Sequence, residues 1–220
     1  MRILYVHGMG RSPISGFPIR IRLRQHGHVF DSFHYSVALE SFDAIRQRLG
    51  KKLQGIAAEG EYAVLGHSLG GVLLRATLAG LPQGTRMPQR LFLLGSPTSP
   101  SRLARKLRNF FIYRLFTGDC GQLLASDERM QAIPAASVPT TAIIGNKGIK
   151  GRFSPFGDEG NDCIVSFSEV QVDWADEVLH VPVVHAWQPS SWQVADLLLE
   201  RIRRMESLPP DPSAQQPAKP

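Results

Sequence analysis

A serine lies at the centre of the sequence Gly-His-Ser-Leu-Gly at residues 66–70. The pattern Gly-x-Ser-x-Gly is typical of a nucleophile on a sharp turn between a strand and a helix, where residues without a Cβ let chain segments approach closely. The apolar run at 62–65 predicts a buried strand before the turn, and the apolar run at 72–79 predicts a helix after it. We therefore interpret Ser68 as a nucleophile rather than as part of a structural turn.

A serine nucleophile needs a base to take its proton, and histidine is the usual one. The base is expected downstream of the serine, on a loop after the last strand, and only His180 and His185 of the seven histidines lie there. His180 falls in the middle of the run 177–184, where it is expected to be a sheet residue. His185 follows that run directly, so the sequence favours His185 as the base.

A carboxylate must orient the histidine and stabilise its charged form. Asp162 lies between the predicted strand at 140–144 and that histidine, and Asp158 and Glu159 are close enough in sequence to compete with it. We favour Asp162, because the apolar pair at 164–165 can anchor its loop against the core. The resulting chain order of serine, acid and histidine is the one that the α/β-hydrolase fold produces.

Acyl transfer also needs N–H donors for the oxyanion of the tetrahedral intermediate. The residue after the nucleophile should supply one, which is the main-chain N–H of Leu69. The loop after the first strand should supply the second, and the sequence His-Gly-Met-Gly at 7–10 is placed for it. We predict the N–H of Met9 as this donor, with a plain glycine turn as the alternative. His7 itself is expected to be structural.

Short apolar strands alternate with helices along the chain, which predicts a mostly parallel sheet of about six strands covered by helices on both faces. Right-handed crossovers then bring the loops after the strands to one edge, where the residues named above fall. Ser41 is expected to cap the second helix. The predicted strands are 3–6, 28–35, 62–65, 90–94, 140–144 and 177–184, and the predicted helices are 19–25, 42–56, 72–79 and 192–205.

Composition excludes several classes of protein. The 220 residues are 43% hydrophobic and 20% charged, as in a soluble globular domain, and no apolar run reaches the roughly 18 residues that span a bilayer. The N-terminus has no secretory signal, so a cytoplasmic location is expected. Two cysteines build no disulfide framework, and we find no nucleic-acid-binding motif. We expect one domain at 1–206, followed by a disordered tail at 207–220 that is rich in proline, serine and glutamine.

Residues 98–136 interrupt the rhythm of strands and helices, which predicts a lid or cap inserted between two core strands. Within it, residues 101–116 read as one helix with five basic side chains against seven apolar ones. An interfacial lid would cover the acyl pocket with its apolar face and meet a lipid or an anionic partner with its cations. The alternative is a surface helix with a solvated basic face. Phe153, Phe156 and Trp187 could line an acyl pocket or belong to the core.

Four stretches together resemble a known group of proteins: residues 7–10, 66–71, 161–166 and 184–185. The chain is similar to the small bacterial lipases and the GPI inositol-deacylase-like esterases of the α/β-hydrolase superfamily. The resemblance implies a serine esterase without metal or organic cofactor, in a minimal form that lacks the first strands of larger members. One departure is Cys163, where such relatives usually have glycine after the acid.

These observations predict a serine hydrolase that cleaves a small-molecule carboxylic ester through an acyl-enzyme. Two alternatives use the same three residues: hydrolysis of a thioester, and transfer of the acyl group to an alcohol. A third alternative, from another class, is a non-catalytic binding protein built on the hydrolase scaffold.

Overall fold

The computed structural model describes residues 1–152 and 154–207 and contains one six-stranded sheet. The strands run in the order β2-β1-β3-β4-β5-β6, and every pairing between neighbours is parallel. The predicted α/β class, with about six parallel strands, is therefore confirmed. The strands are β1 Arg2–Val6, β2 Val29–Phe33, β3 Tyr62–His67, β4 Leu91–Leu94, β5 Thr140–Gly145 and β6 Glu177–Val181. The helices are α1 Phe17–Gln25, α2 Phe42–Glu59, α3 Leu69–Leu78, α4 Arg102–Leu107, α5 Phe111–Ala125, α6 Asp127–Gln131 and α7 Trp192–Ser207.

Helices cover both faces of the sheet, because alternate residues of each strand point to opposite sides. In β1, Leu4 and Val6 pack into the core shared with α2 and α3, whereas Ile3 and Tyr5 pack into the core shared with α1 and α7. All four side chains are almost completely buried. The central strands are thus fixed by apolar contacts on both sides, and their carboxyl ends form a rigid edge for a site.

The ends of the elements follow local chemistry. Ser41 caps α2 as predicted, since its Oγ accepts a hydrogen bond from the N–H of Ala44 at 3.2 Å. The last strand is shorter than expected and ends at Val181. Pro182 has no N–H to donate to the neighbouring strand, which accounts for this end.

The predicted single helix over 101–116 is wrong. The structure divides this segment into α4, which ends at Leu107, and α5, which begins at Phe111. Phe110 between them is extended, and its N–H donates to the Leu107 carbonyl in a turn that closes α4. Asparagine and aromatic residues are weaker helix formers than leucine or lysine, so the sequence at 109–111 permits this break.

No helix within residues 1–152 and 154–207 is both long and apolar enough to cross a bilayer. The predicted tail at 207–220 lies outside the described residues, apart from Ser207 at the end of α7.

Candidate active site

Ser68 lies on the sharp turn that the sequence predicted, between the last residue of β3 and the first residue of α3. Its backbone has φ 52° and ψ −123°, a conformation that non-glycine residues rarely adopt. Strain of this kind costs about 1–3 kcal/mol and persists where the surrounding fold imposes it. The side chain remains partly exposed, whereas both neighbours in sequence are buried. The turn therefore presents Ser68 at the carboxyl edge of the sheet.

Glycines make this turn possible by their lack of a side chain. A Cβ at Gly66 would overlap the backbone of Gly71, and a Cβ at Gly70 would overlap the carbonyl oxygen of Val6. A Cβ at Gly71 would overlap Ser96 Oγ, which donates to the Ser68 carbonyl at 2.9 Å. The close packing of β1, β3 and α3 around Ser68 thus depends on glycine at each of these positions.

Asp162 and His185 are brought together from loops that follow two different strands. His185 Nδ1 lies 2.7 Å from Asp162 Oδ2, and both side chains are buried. An ionised carboxylate only accepts, so His185 Nδ1 carries the proton and donates it to Asp162. The main chains are joined as well, since the His185 N–H donates to the Asp162 carbonyl at 2.9 Å. In the neutral imidazole this arrangement places the free lone pair on Nε2, the atom that can act as a base.

The second oxygen of Asp162 is held by its own loop. Oδ1 accepts from the N–H of Ile164 at 3.1 Å and from the N–H of Val165 at 2.9 Å. The turn needs an unusual backbone at Cys163, which has φ 83°. Glycine adopts this conformation without strain, whereas cysteine does not. A glycine would therefore fit this turn better than Cys163 does.

Gln188 is a member of the site that sequence reasoning missed. Its Nε2 donates to Asp162 Oδ2 at 2.9 Å, and the side chain is fully buried. Gly95 and Gly145, at the ends of β4 and β5, make room for this contact, since a Cβ on either would lie within 2.8 Å of Gln188 Nε2. The signal in the sequence was slight: a polar residue three positions after the predicted base.

The residues that competed for these roles have other surroundings. His180 is exposed on the edge strand β6, where its ring lies 4.8 Å from the ring of Phe167. Asp158 is exposed. Glu159 pairs with Arg102 at 2.8 Å and accepts from the N–H of Ser168. Burial raises the pKa of Glu159, but hydrogen bonds from Ser168 and Arg102 outweigh it and lower the pKa to about 2.

His67, the residue before Ser68, contacts His185 of the pair formed by His185 and Asp162. The rings of His67 and His185 lie 4.9 Å apart, and His67 Nε2 lies 3.1 Å from the His185 carbonyl oxygen, to which it can donate. A direct hydrogen bond between Ser68 Oγ and His185 Nε2 is not among the contacts of the described residues. Such bonds are often long in unliganded sites and tighten when substrate binds.

The two segments that carry the predicted oxyanion donors both border Ser68. Leu69 is the first residue of α3, so its N–H has no partner within the helix. The loop after β1 comes close to Ser68, since a Cβ on Gly8 would lie 3.1 Å from Ser68 Cβ. Met9 follows directly, in a turn closed by the bond from Arg11 N–H to the Gly8 carbonyl.

Two buried histidines, His7 and His67, lie next to Gly8 and Ser68 in the chain. Burial lowers the pKa of His67 well below its ordinary value, and the neighbouring His185 lowers it further. Burial also lowers the pKa of His7, whose ring stacks on Tyr35 with centroids 4.3 Å apart. Tyr35 in turn donates to the His7 carbonyl at 2.7 Å. Both histidines are therefore neutral at neutral pH and act in packing.

The predicted acyl-pocket residues do not share one environment. Phe156 is buried and Trp187 is exposed, whereas Phe153 lies outside the described residues. A cavity of about 360 Å³ is bounded by α2, α3, α5 and α6, and another of about 530 Å³ lies along α5. Neither is lined by Ser68. Within residues 1–152 and 154–207, no group of three His, Cys, Asp or Glu side chains is arranged to hold a metal ion.

Several solved structures share the fold of this chain. The chain aligns with a mature lipase from Bacillus licheniformis at 17% identity and a TM-score of 0.70, covering 91% of each chain. It aligns with a metagenomic carboxyl esterase at 13% identity and a TM-score of 0.72, covering 94% of this chain and 75% of the other. A thioesterase from prodiginine biosynthesis in Streptomyces coelicolor aligns at 15% identity and a TM-score of 0.57, covering 93% and 90%. No family model and no curated protein matches the sequence.

The chain thus has the α/β-hydrolase fold. Its Gly-x-Ser-x-Gly turn follows β3, and its hydrogen-bonded acid and histidine follow β5 and β6.

Proposed function

We propose that this protein is a serine hydrolase that cleaves carboxylic esters, with Ser68, His185 and Asp162 as its catalytic residues. The observation that carries the proposal is the buried 2.7 Å hydrogen bond between His185 Nδ1 and Asp162 Oδ2, beside the strained turn at Ser68. A buried histidine with one nitrogen fixed by a carboxylate and the other unprotonated is the base that a serine hydroxyl needs. The α/β-hydrolase fold adds support, because lipases and esterases share it.

The reaction would proceed in two halves. Ser68 Oγ attacks the ester carbonyl carbon while its proton passes to His185 Nε2. The oxyanion is held by the N–H groups of Leu69 and Met9, each of which is worth about 3 kcal/mol in the transition state. The alcohol leaves with the proton from His185, and the acyl group remains on Ser68 as an ester. Water then attacks this ester, His185 takes and returns a proton, and the carboxylic acid leaves.

Asp162 acts by holding His185. The imidazole becomes positively charged in both transition states, and a buried ionised carboxylate beside Nδ1 stabilises that charge without taking the proton. The carboxylate is itself fixed by three further donors, so it cannot turn away as charge develops.

The remaining parts of the proposal concern the substrate and the domain. A small-molecule acyl ester is the substrate, and the segment 101–116 contacts a lipid or an anionic interface. Residues 1–206 form the hydrolase domain, with 98–136 as a cap. A thioester is the second candidate substrate, because a thioesterase is among the structures that share the fold.

Hydrolysis of p-nitrophenyl esters with acyl chains from C2 to C16, beside matched acyl thioesters, tests the reaction. Wild type should cleave at least one oxygen ester, and Ser68→Ala and His185→Ala should abolish that activity, whereas His180→Ala should retain it. Cleavage of thioesters alone would move the assignment to a thioesterase. Product formed equally by wild type and Ser68→Ala would exclude the proposed nucleophile, and inertness on both series would favour a binding scaffold.

A further inference from the structure

The first half of α5 and Phe110, the residue before it, carry exposed apolar side chains. Five residues, Phe110, Phe111, Ile112, Leu115 and Phe116, are 57–77% exposed, and we call this set the apolar tip. Single exposed apolar residues are ordinary on a protein surface, but a contiguous set of this size marks a surface that binds something.

The arrangement is the reverse of a normal surface helix. Positions 111, 112, 115 and 116 form one stripe along α5, since residues three and four apart share a helix face. The opposite face carries Tyr113 and Thr117, which are half-buried and buried, and Thr117 Oγ1 donates to the Tyr113 carbonyl. This half-helix therefore turns Tyr113 and Thr117 towards the protein, and its apolar stripe is exposed to solvent together with Arg114.

The tip is held in this position by the fold. Gly118 interrupts α5 with φ 52°, pressed so closely against Val37 that a Cβ would overlap its carbonyl oxygen. Beyond this break α5 is anchored in the core by Cys120, Leu123 and Leu124. The segment before Gly118 is thereby directed away from the core.

The first residue of α4 is also held in place, by contacts with the segment that follows β5 and carries Asp162. Arg102 pairs with Glu159 at 2.8 Å and donates to Ser168 Oγ at 2.9 Å. The carboxylate of the buried Glu169 accepts from the Arg102 main-chain N–H and from the Ser166 N–H. The apolar tip therefore projects from a rigid base that also holds the Asp162 loop.

The charged residues that precede Gly118 in α4 and α5 are all basic, and the nearest acid, Asp119, is paired with Arg129 at 2.7 Å. No acidic residue occurs between Arg102 and Gly118. Lys106, Arg108 and Arg114 are exposed and take part in none of the ion pairs between described residues. Helices that lie in the interface of an anionic membrane have this composition, with arginine and lysine beside exposed phenylalanine, isoleucine and leucine.

We propose that the apolar tip docks onto an anionic lipid bilayer, with Phe111 and Phe116 inserted among the acyl chains and Arg108 and Arg114 on the phosphate groups. This deepens the lipid contact in the proposed function, because it names the surface and the partner, and it requires no catalysis by Ser68. An apolar groove on another protein would accept the five apolar side chains but would not need the surrounding cations.

Sedimentation with sucrose-loaded vesicles tests the proposal, using phosphatidylcholine alone and a 3:1 mixture with phosphatidylglycerol. Wild type and Ser68→Ala should bind the anionic vesicles at least tenfold more tightly than the neutral ones. The double variant Phe111→Ser, Phe116→Ser should lose at least tenfold in binding, and Arg108→Gln, Arg114→Gln should remove the preference for anionic vesicles. Ile14→Ser, Leu39→Ser is the matched control, since it removes two apolar residues elsewhere that are at least as exposed as the two phenylalanines.

Vesicle binding and gel filtration can each contradict the proposal. Equal binding by wild type and the double phenylalanine variant, or no preference for phosphatidylglycerol, would overturn the proposal. So would a stable dimer in gel filtration that the phenylalanine substitutions dissociate, because the tip would then be a protein interface. Hydrolysis of a short soluble ester should be unchanged in the double phenylalanine variant, so loss of docking is separable from failure of the proposed reaction.

Discussion

Asp162 is fully buried and accepts four hydrogen bonds, from His185, Gln188, Ile164 and Val165. Asparagine in its place would present an amide N–H where the carboxylate oxygen accepts from His185, which favours the wrong tautomer of the imidazole. We expect Asp162→Asn to lower kcat about 10⁴-fold, as loss of the acid does in serine proteases. Steady-state kinetics on a p-nitrophenyl ester measures this.

The matched control is Asp158→Asn, the same change at an exposed acid four positions earlier in the chain. It should retain nearly full activity. The assignment of the acid would be contradicted if Asp158→Asn were the damaging change and Asp162→Asn were mild.

Cys163 stores strain in the loop that holds the acid, because its φ of 83° is unfavourable for any residue with a Cβ. We expect Cys163→Gly to raise the free energy of unfolding by about 1 kcal/mol, after allowing for the entropy that glycine loses on folding. Cys163→Val should lower it by about 1–2 kcal/mol, because a branched Cβ tolerates this region worst. Urea denaturation gives the order, and valine more stable than glycine would contradict the strain.

The sequence was sufficient to predict the contact between Asp162 and His185, since each follows a strand and parallel strands end at one edge. Gln188 could not be predicted in the same way. Its contact depends on the 3-10 turn at His185–Ser190 and on the space left by Gly95 and Gly145, which are distant in sequence. Buried polar contacts of this kind depend on packing that no local pattern encodes.

At the scale of elements, the break in α5 decides which way the apolar tip faces. Gly118→Ala would combine a left-handed backbone with an overlap between Cβ and the Val37 carbonyl. We expect it to destabilise the protein by about 3 kcal/mol, from backbone strain and overpacking together. Thermal and urea unfolding measure the change.

Gly55→Ala is the control for this prediction. Gly55 is exposed inside α2, where a Cβ would meet no atom within 4 Å, so alanine there should stabilise by about 0.5–1 kcal/mol. Similar small effects at both glycines would show that the α5 break does not depend on Gly118.

The strands and the long helices were predictable because their apolar periods are strong, as in α2 and α7. The break in the segment 101–116 was not, because five of its apolar residues do not face the core. A helix is usually predicted from the apolar residues that it buries against the core. The apolar stripe of α5 faces solvent instead, so this rule did not locate the helix. The sequence therefore suggested one lid helix, and the break at Phe110 appeared only in the structure.

At the scale of the whole molecule, buried neutral histidines link stability to pH. The pKa of His67 lies well below 6.5 in the folded protein, and that of His7 is lowered too, in each case mainly by burial. Below about pH 6.5 the unfolded chain therefore binds more protons at these positions than the folded protein does. The free energy of unfolding then falls by up to about 1.4 kcal/mol for each histidine and each pH unit. Above that pH both states are neutral at these positions and the effect vanishes.

Urea unfolding between pH 7.5 and 5 measures this dependence. His67→Gln should flatten the fall in stability below pH 6.5, whereas the exposed His180→Gln should leave it unchanged. A slope that His67→Gln does not alter would contradict the burial of a neutral imidazole at this position.

Labelling with a fluorophosphonate tests the central claim most directly, because the reagent forms a covalent bond with an activated serine hydroxyl. We expect one adduct by intact-mass spectrometry, mapped by peptide sequencing to Ser68, absent in Ser68→Ala and strongly slowed in His185→Ala. Labelling of Ser96, which lies against the same turn, or of no serine at all in the folded wild type would contradict the account.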